Sequence, residues 1–324
     1  MTAPVAVVVH VRSHHMPAAS SRVRRVGLAV LLTMLAPAVL VGCGSGAKAR
    51  PSSALPSVAG AYGSKPTFGF EGATPPTTLQ SKVLRAGTGR TVANGDLLVA
   101  DYLGQVWRGA VFDNSYDRQA PAGFVIGRGK VITGWDDVLV GVKVGSRLEL
   151  SVPPDKGYGA TGNARVGIKG SDTLVFVVDV VAAYNRSARG DASAVLQRVA
   201  TPGVTVTGAL GAAPKVTVGK GAKAPRTPTL TVLAKGTGAP VKTGLLVVQY
   251  VATRYTGARG GSTFSRGTPA GVTVTAAGGR PFNLARGVPL GSRILLEIPG
   301  SKADTAVAVV VDLIAQPTRA ALAG

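Results

Sequence analysis

The sequence predicts an α+β fold in which an antiparallel sheet closes over one short helix, and it predicts that this fold is present twice. Gly (44) and Pro (21) make up about a fifth of the 324 residues and separate short Val-, Leu- and Thr-rich runs, a pattern typical of strands joined by turns. One segment has a clear helical spacing of apolar residues. Blocks of the first half also recur, in the same order, in the second half.

The N-terminal segment is typical of an export signal. An arginine cluster at 22–25 precedes an uncharged run over 26–41, which is shorter than the ~20 residues that a membrane-spanning helix needs. Residues 40–43 read Leu-Val-Gly-Cys and resemble a bacterial lipobox, so we expect 1–42 to be a lipoprotein signal peptide and Cys43 to carry the lipid. An ordinary cleaved signal or a buried free cysteine is the alternative.

The composition divides the rest of the chain. An Ala-, Ser-, Pro- and Gly-rich stretch predicts a flexible tether, and a stretch with little strand pattern predicts a linker with one short helical stretch at 192–199. The predicted segments are the tether 43–64, the first domain 65–184, the linker 185–213, the second domain 214–316 and the tail 317–324.

The internal repeat rests on several matched blocks. Their common order over ~100 residues is poorly explained by shared composition. In the sequence 83–89 matches 232–238, 97–102 matches 245–250, 145–148 matches 291–294, and 179–182 matches 312–315.

The predicted helix lies in the first copy. Trp135, Val138, Leu139 and Val142 follow i, i+3, i+4, i+7 spacing and form one apolar face. We expect a cap at 133–134. The acids at 136 and 137 then fall in the first turn, where the helix macrodipole favours negative charge.

Four blocks of the first copy carry a family resemblance. They are Phe-Asp-Asn-Ser-Tyr-Asp-Arg at 112–118, Val-Ile-Thr-Gly-Trp at 131–135, Gly-Val-Lys-Val-Gly at 141–145 and Tyr-Gly-Ala-Thr-Gly at 158–162. In this order they resemble the FKBP-type peptidyl-prolyl cis/trans isomerases over residues 80–184. The resemblance implies a curved antiparallel sheet around a short helix, with an apolar pocket between them.

The resemblance also implies the site residues. Trp135 would be the pocket floor, Phe124 a core residue, and Arg118 an ion-pair partner of Asp113. The implied catalytic residues are Tyr102, Phe112, Asp113, Trp135, Tyr158 and Phe176, and the implied substrate-binding residues are Val131, Ile132 and Arg118.

This chemistry needs no metal or cofactor. Resonance gives the prolyl amide a rotational barrier of ~18–20 kcal/mol, although the two isomers differ by only ~0.5–1 kcal/mol. An apolar pocket favours the twisted, less polar amide over the planar one. The histidine content agrees with a reaction that needs no metal, because the three histidines at 10, 14 and 15 lie upstream of the predicted mature protein.

The second copy has lost most of this site. It keeps Tyr250 and Phe264, but Ser265 is expected to replace the aspartate, and the tryptophan position falls at 281–282. The segment corresponding to the Tyr158 loop is missing. We therefore expect a degenerate, inactive FKBP-like domain.

The net charge of +21 raises the question of a nucleic-acid partner. An exported protein meets no chromosome, and the sequence lacks the aromatic stacking platforms of single-strand binders, so no nucleic acid is expected. The predicted function is a prolyl isomerase that assists proline-containing exported polypeptides, lipid-anchored at the outer face of the bacterial cell membrane. The resemblance also implies a pocket able to bind a macrolide inhibitor. The alternative is a non-catalytic binding module or holdase of the cell envelope.

Overall fold

The computed structural model describes residues 55–277, 279–300 and 305–318, so the predicted signal peptide and Cys43 lie outside the described residues. The structure is dominated by sheet. The strands are β1 (Ser57–Ala59), β2 (Thr67–Gly69), β3 (Gln80–Arg85), β4 (Leu97–Val106), β5 (Val111–Asn114), β6 (Ala122–Val125), β7 (Arg147–Val152), β8 (Leu174–Tyr184), β9 (Val195–Leu196), β10 (Val204–Thr207), β11 (Lys215–Val218), β12 (Thr229–Lys235), β13 (Gly244–Arg254), β14 (Arg259–Ser262), β15 (Ala270–Val274), β16 (Arg293–Ile298) and β17 (Val307–Ala315). The α-helices of the described residues are α1 (Thr133–Leu139) and α2 (Thr263–Arg266).

The first large sheet has the antiparallel order β3-β7-β8-β4-β5, with β6 paired to β4. Its central strands β4 and β8 are rich in Val and Leu and are buried on both faces. One face packs on helix α1 through a cluster that includes Leu98, Leu139 and Leu150. The segment that contains the β1–β2 hairpin bonds to residues of the other face, where Gly63 N donates to the Asp179 carboxylate.

Helix α1 is shorter than the sequence predicts. It ends at Leu139 because Gly141 takes a left-handed conformation (φ 91°), so Val142 lies outside it. The expected cap at 133–134 is also wrong: Ile132 is the N-cap residue and makes no side-chain capping bond. Asp136 instead accepts hydrogen bonds from the backbone of Gly127 and Gly129, which ties the preceding loop to the helix.

The second large sheet has the order β14-β13-β17-β16-β12-β9, with β15 paired to β13. Without β9, this order follows the first sheet strand for strand. A second hairpin, β10–β11, packs on its other face through Val204, Val216 and Val310. For reference, the first unit is residues 57–184 and the second unit is residues 204–315.

Each unit has a buried Arg–Asp pair at the same place in its ladder. Arg147 lies 3.4 Å from Asp179, and Arg293 lies 2.6 Å from Asp312, with every side chain of the four at most 4% exposed. Each guanidinium also donates to two carbonyls of the hairpin turn, Ala61 and Ser64 in the first unit and Ala209 and Ala212 in the second. These contacts hold each hairpin on its sheet.

These contacts also move two predicted boundaries. Residues 57–64, expected in the flexible tether, form strand β1 and the turn that the buried arginine holds. The predicted helix at 192–199 is wrong, because β9 pairs with β12 there. The partners that decide both segments are distant in sequence, so local composition did not indicate them.

The two sheets meet through a small apolar cluster that includes Val99 and Val181 from the first unit and Leu245 and Val247 from the second. The hydroxyl of Thr268 also donates to the Gly95 carbonyl at 2.7 Å. Over the described part of the chain, the structure contains no helix long and apolar enough to cross a membrane.

Candidate active site

An aromatic cluster surrounds the start of helix α1. The indole of Trp135 is 3% exposed, and three other rings meet it edge-on. The centroid distances from Trp135 are 5.6 Å to Tyr102, 4.9 Å to Phe124 and 5.5 Å to Phe176. The indole Nε1 is buried without an acceptor among the described residues, an arrangement that is unfavourable in a purely structural core.

Two of the predicted catalytic residues pack over a glycine. Phe112 and Phe176 meet edge-on at 5.7 Å, on strands that flank β4. A Cβ on Gly104 would lie 2.6 Å from Phe112 Cζ and 2.8 Å from Phe176 Cε1. Only glycine therefore lets both rings lie directly on the backbone of β4.

A polar group lies at the edge of this cluster. Tyr102 donates its phenol hydrogen to the Asp113 carboxylate, and Arg118 forms an ion pair with the same carboxylate. Arg118 Nη2 also donates to the Tyr102 oxygen at 2.8 Å. Burial first, and then the Asp113 carboxylate, raise the pKa of Tyr102 above its ordinary value, so this phenol stays protonated at neutral pH.

The strand pairing that aligns this group depends on a buried serine. Ser115 Oγ accepts from the Tyr102 backbone N at 2.9 Å and donates to the Asp101 carboxylate at 2.6 Å. The side chains of Asp101 and Ser115 are buried. Their contacts set the turn that carries Asp113 and Arg118 back towards Tyr102.

Tyr158 comes from the long connection between β7 and β8. This connection contains short 3-10 turns at Pro154–Lys156, Gly159–Thr161 and Ala164–Val166. Tyr158 packs partly buried against the same core as Trp135. Burial raises the pKa of Tyr158, the hydrogen bond with Asn163 opposes this, and the nearby Asp113 carboxylate adds to it. Lys156 Nζ lies 2.9 Å from Asp137 of helix α1, which links this connection to the helix.

Val131 and Ile132 immediately precede helix α1. Ile132 is 8% exposed and Val131 is half-buried, and both pack on the cluster that contains Trp135. The structure therefore gathers all nine site residues predicted in the first unit around one apolar floor. Their catalytic and binding roles remain predictions.

Comparison with known proteins identifies the family. A family model described as FKBP-type peptidyl-prolyl cis-trans isomerase matches residues 88–181. The chain is 39% identical over 119 residues to the "FK506-binding protein" of Streptomyces anulatus, in an alignment that covers 36% of this chain and 96% of that protein. The chain belongs to the FKBP-type peptidyl-prolyl cis-trans isomerase family.

Two further matches each cover about a third of the chain. "FK506-binding protein 1A" of Neurospora crassa is 40% identical over 106 residues, which is 32% of this chain and 86% of that protein. The crystal structure of FkpA from Escherichia coli is 37% identical with a TM-score of 0.31, and the alignment covers 33% of this chain and 49% of that one.

The FKBP family match ends before the second unit. The strand pairing of the second unit nevertheless shows which of its residues correspond to the site residues of the first unit. Asn114 pairs with Leu103 in β4, and Ser262 pairs with Val251 in β13. One residue earlier along the strand, Gly261 therefore occupies the place of Asp113. The expectation that Phe264 and Ser265 replace Phe112 and Asp113 was wrong: both lie in α2, beyond the end of β14, and only the local likeness of the two dipeptides suggested the match.

The second unit has an apolar hollow at the corresponding place. It has a volume of about 300 Å³ and is lined by Tyr250, Ala270, Val272, Phe282 and Val309. Phe282 lies on a 3-10 turn, Pro281–Ala285, where the FKBP unit has helix α1. The long connection that carries Tyr158 has a shorter counterpart here, residues 299–306 against 153–173.

Sequence reasoning missed Gly104 and the serine–aspartate pair behind the site. A glycine inside a Val- and Leu-rich strand is a signal of close backbone approach, which could have found Gly104. Ser115 and Asp101 carried no such signal. Within the described residues, no group of three His, Cys, Asp or Glu side chains could hold a metal ion.

Proposed function

We propose that the first unit catalyses cis–trans isomerisation of prolyl bonds in exported polypeptides, at the outer face of a bacterial cell membrane to which lipid on Cys43 anchors the chain. The proposal rests on one observation, the aromatic cluster around Trp135 with the Tyr102–Asp113–Arg118 group at its edge. The family supplies the reaction. The export and the anchor rest on the sequence of the N-terminal segment.

The apolar floor lowers the barrier by electrostatics. Rotation about the prolyl C–N bond removes amide resonance and reduces charge separation between oxygen and nitrogen. A prolyl ring held on Trp135 between Phe112 and Phe176 leaves water, so the planar amide loses more solvation than the twisted amide. The pocket therefore binds the transition state more tightly than either ground state.

The polar residues orient the peptide. The carboxylate of Asp113 is already paired with Arg118 and Tyr102, so it lies in a fixed position beside the apolar floor. The phenol of Tyr158 stays protonated because its pKa is raised, and it can donate to a substrate carbonyl. No step needs a nucleophile or a proton transfer.

The same pocket would also accept a macrolide. Relatives of this chain bear the name FK506-binding protein. We expect a macrolide of that class to cover Trp135 and to compete with prolyl peptides. The second unit would be a degenerate copy that retains the frame of the sheet without catalysis, since Gly261 stands in the place of the aspartate.

A protease-free prolyl isomerisation assay on the full chain in detergent tests the proposal. We expect faster exchange than in buffer, inhibition by the macrolide, and a rate about fivefold lower in Tyr158→Phe, since loss of one hydrogen bond to the transition state costs of the order of 1 kcal/mol. Tyr184→Phe is the matched control, because Tyr184 lies away from the site in the contact between the two sheets. A rate equal to that of buffer would refute the catalytic proposal.

The anchor has a separate test. Radiolabelled palmitate should enter the wild-type protein in cells and should not enter Cys43→Ala. Labelling that persists in the variant would contradict the anchor and leave the isomerase proposal unchanged.

The hollow of the second unit favours one further candidate, a holdase function in which the chain binds unfolded segments without turnover. It predicts suppression of client aggregation that survives Asp113→Val. Aggregation unaffected by the chain would refute it.

A further inference from the structure

The hollow of the second unit has an arginine at its edge that has lost its acidic partner. Arg266 Nη2 donates to the Tyr250 phenol at 2.7 Å, and its guanidinium lies 5.4 Å from the centre of that ring. Arg118 makes the same two contacts with Tyr102 in the first unit, at 2.8 Å and 5.5 Å.

The difference lies in the acid. Asp113 pairs with Arg118, whereas the corresponding Gly261 has no side chain. Among the described residues no carboxylate pairs with Arg266. The two acids of the second unit that the structure describes are engaged elsewhere, Asp312 with Arg293 and Glu297 with Tyr255.

The missing side chain leaves space beside the phenol. A Cβ on Gly261 would lie 3.5 Å from the Tyr250 oxygen and 3.7 Å from its ring, which is ordinary contact. Arg266 and Gly261 are both exposed, so a ligand can reach this point from solvent. The hollow beside it is lined by apolar groups of Val272, Phe282 and Val309.

The charge of the surroundings favours an anion. Residues 214–316 contain 13 Lys and Arg against 3 Asp and Glu, counted on the sequence. A carboxylate that reaches Arg266 beside an apolar wall forms a charge-assisted hydrogen bond that bulk water screens incompletely.

We propose that the second unit binds polypeptide segments in which an apolar side chain stands next to a carboxylate. The apolar side chain enters the hollow beside Phe282, and the carboxylate occupies the place that Gly261 leaves open and pairs with Arg266. The ligand thus supplies the acid that Asp113 supplies in the first unit. The choice of a peptide rests on the proposed function of that unit, whereas the site itself does not.

Two labelled peptides without proline test this on the full chain in detergent, acetyl-Gly-Leu-Glu-Gly-amide and its Gln analogue. Fluorescence anisotropy at low salt should show that the Glu peptide binds about tenfold more tightly, the size of one charge-assisted contact. Gly261→Asp supplies an internal carboxylate and Arg266→Gln removes the cation, so each should abolish the preference. The backbone at Gly261 is not left-handed, so the aspartate is tolerated.

Matched controls separate this site from general charge and from the first pocket. Arg254→Gln removes the same charge from the exposed end of β13, and Arg118→Gln removes the corresponding cation of the first unit. Both should keep the preference for Glu, and thermal unfolding verifies that every variant is folded.

Equal affinity of the wild type for both peptides would overturn the proposal, as would a preference that survives Gly261→Asp or disappears in Arg118→Gln. Displacement of both peptides alike by phosphatidylglycerol vesicles would assign the hollow to the membrane surface instead. The isomerase assay on the same wild-type preparation keeps the two proposals apart: a Glu preference without turnover refutes the catalytic proposal alone.

Discussion

Substitution of Gly104 by alanine should damage the candidate active site without touching any polar group. The new Cβ would lie 2.6 Å from Phe112 and 2.8 Å from Phe176, whereas carbon atoms pack best at about 3.5–4.0 Å. Both rings must therefore retreat by roughly 1 Å from the backbone of β4. These rings form the proposed walls beside Trp135.

The expected magnitudes follow from this displacement. Overpacking of this kind costs about 1–3 kcal/mol in the free energy of unfolding. The lower backbone entropy of alanine in the unfolded chain returns about 0.4–1 kcal/mol, so we expect a net loss of ~1–2 kcal/mol. A misplacement near 1 Å can lower catalysis by up to ~10²-fold, so kcat/KM should fall by at least ~10-fold.

The second unit indicates how the clash can be relieved. At the corresponding ladder positions it has Ala252 in place of Gly104, and Gly260 and Val309 in place of the two phenylalanines. In the second unit, an alanine at the glycine position is thus accompanied by smaller side chains at the two phenylalanine positions. The double variant Gly104→Ala, Phe112→Leu should therefore recover part of the lost stability, a coupling that a double-mutant cycle measures.

Urea unfolding followed by tryptophan fluorescence gives the stability, and protease-free prolyl exchange gives kcat/KM. Gly219→Ala is the control, because its new Cβ would meet only a carbonyl at 3.6 Å. If Gly104→Ala keeps both values within twofold in rate and 0.5 kcal/mol in stability, a range typical of neutral surface changes, close packing on this glycine does not hold the walls in place.

Three other predictions follow from single contacts. Asp113→Asn should lower kcat/KM by about tenfold in the exchange assay while the unfolding free energy changes by less than about 1 kcal/mol, because the carboxylate orients Tyr102 at a partly exposed edge; unchanged kcat/KM would contradict this. Glu149 is 1% exposed, and its burial raises its pKa to about 7, so the folded state binds its proton more tightly and stability falls as pH rises from about 4.5 to about 7. Glu149→Gln should therefore match the wild type at pH 4 and be more stable by up to ~3 kcal/mol at pH 8 in urea unfolding, and a constant difference between the two pH values would exclude this carboxyl as the cause. Arg293→Met should cost about 3–5 kcal/mol because it leaves Asp312 buried without its cation, and calorimetry that shows no loss would mean that this pair does not hold the second hairpin.

Part of the candidate site could be read directly from the chain. The block at 112–118 and the tryptophan at 135 stand in the order that the family resemblance requires, and the short spacing within each block brings its residues to predictable places. The matched blocks of the two halves have a similar basis. Arg147 and Arg293 each follow a Gly-Ser pair, whose serine hydroxyl accepts from a distant glycine N–H in both units, Gly87 and Gly236.

Other features depended on residues far apart in the chain. Only the register of β13 against β14 shows that Gly261 corresponds to Asp113, since the sequence match alone pointed to Ser265. The strand at Val195–Leu196 exists because β12 offers an open edge, although its own residues have a weak pattern.

The sequence by itself determined the family, the order along the chain of the apolar runs that form strands, and the nine residues that gather at the first site. These depend on side-chain chemistry and local spacing, which the chain carries explicitly. Only the tertiary structure decided that the hairpins at 57–69 and 204–218 pack on the two large sheets, and that Arg266 contacts Tyr250 beside an apolar hollow with no acid paired to it among the described residues. Those features arise from strand register and from contacts across more than 60 residues, where a single ladder step decides which side chain meets which partner.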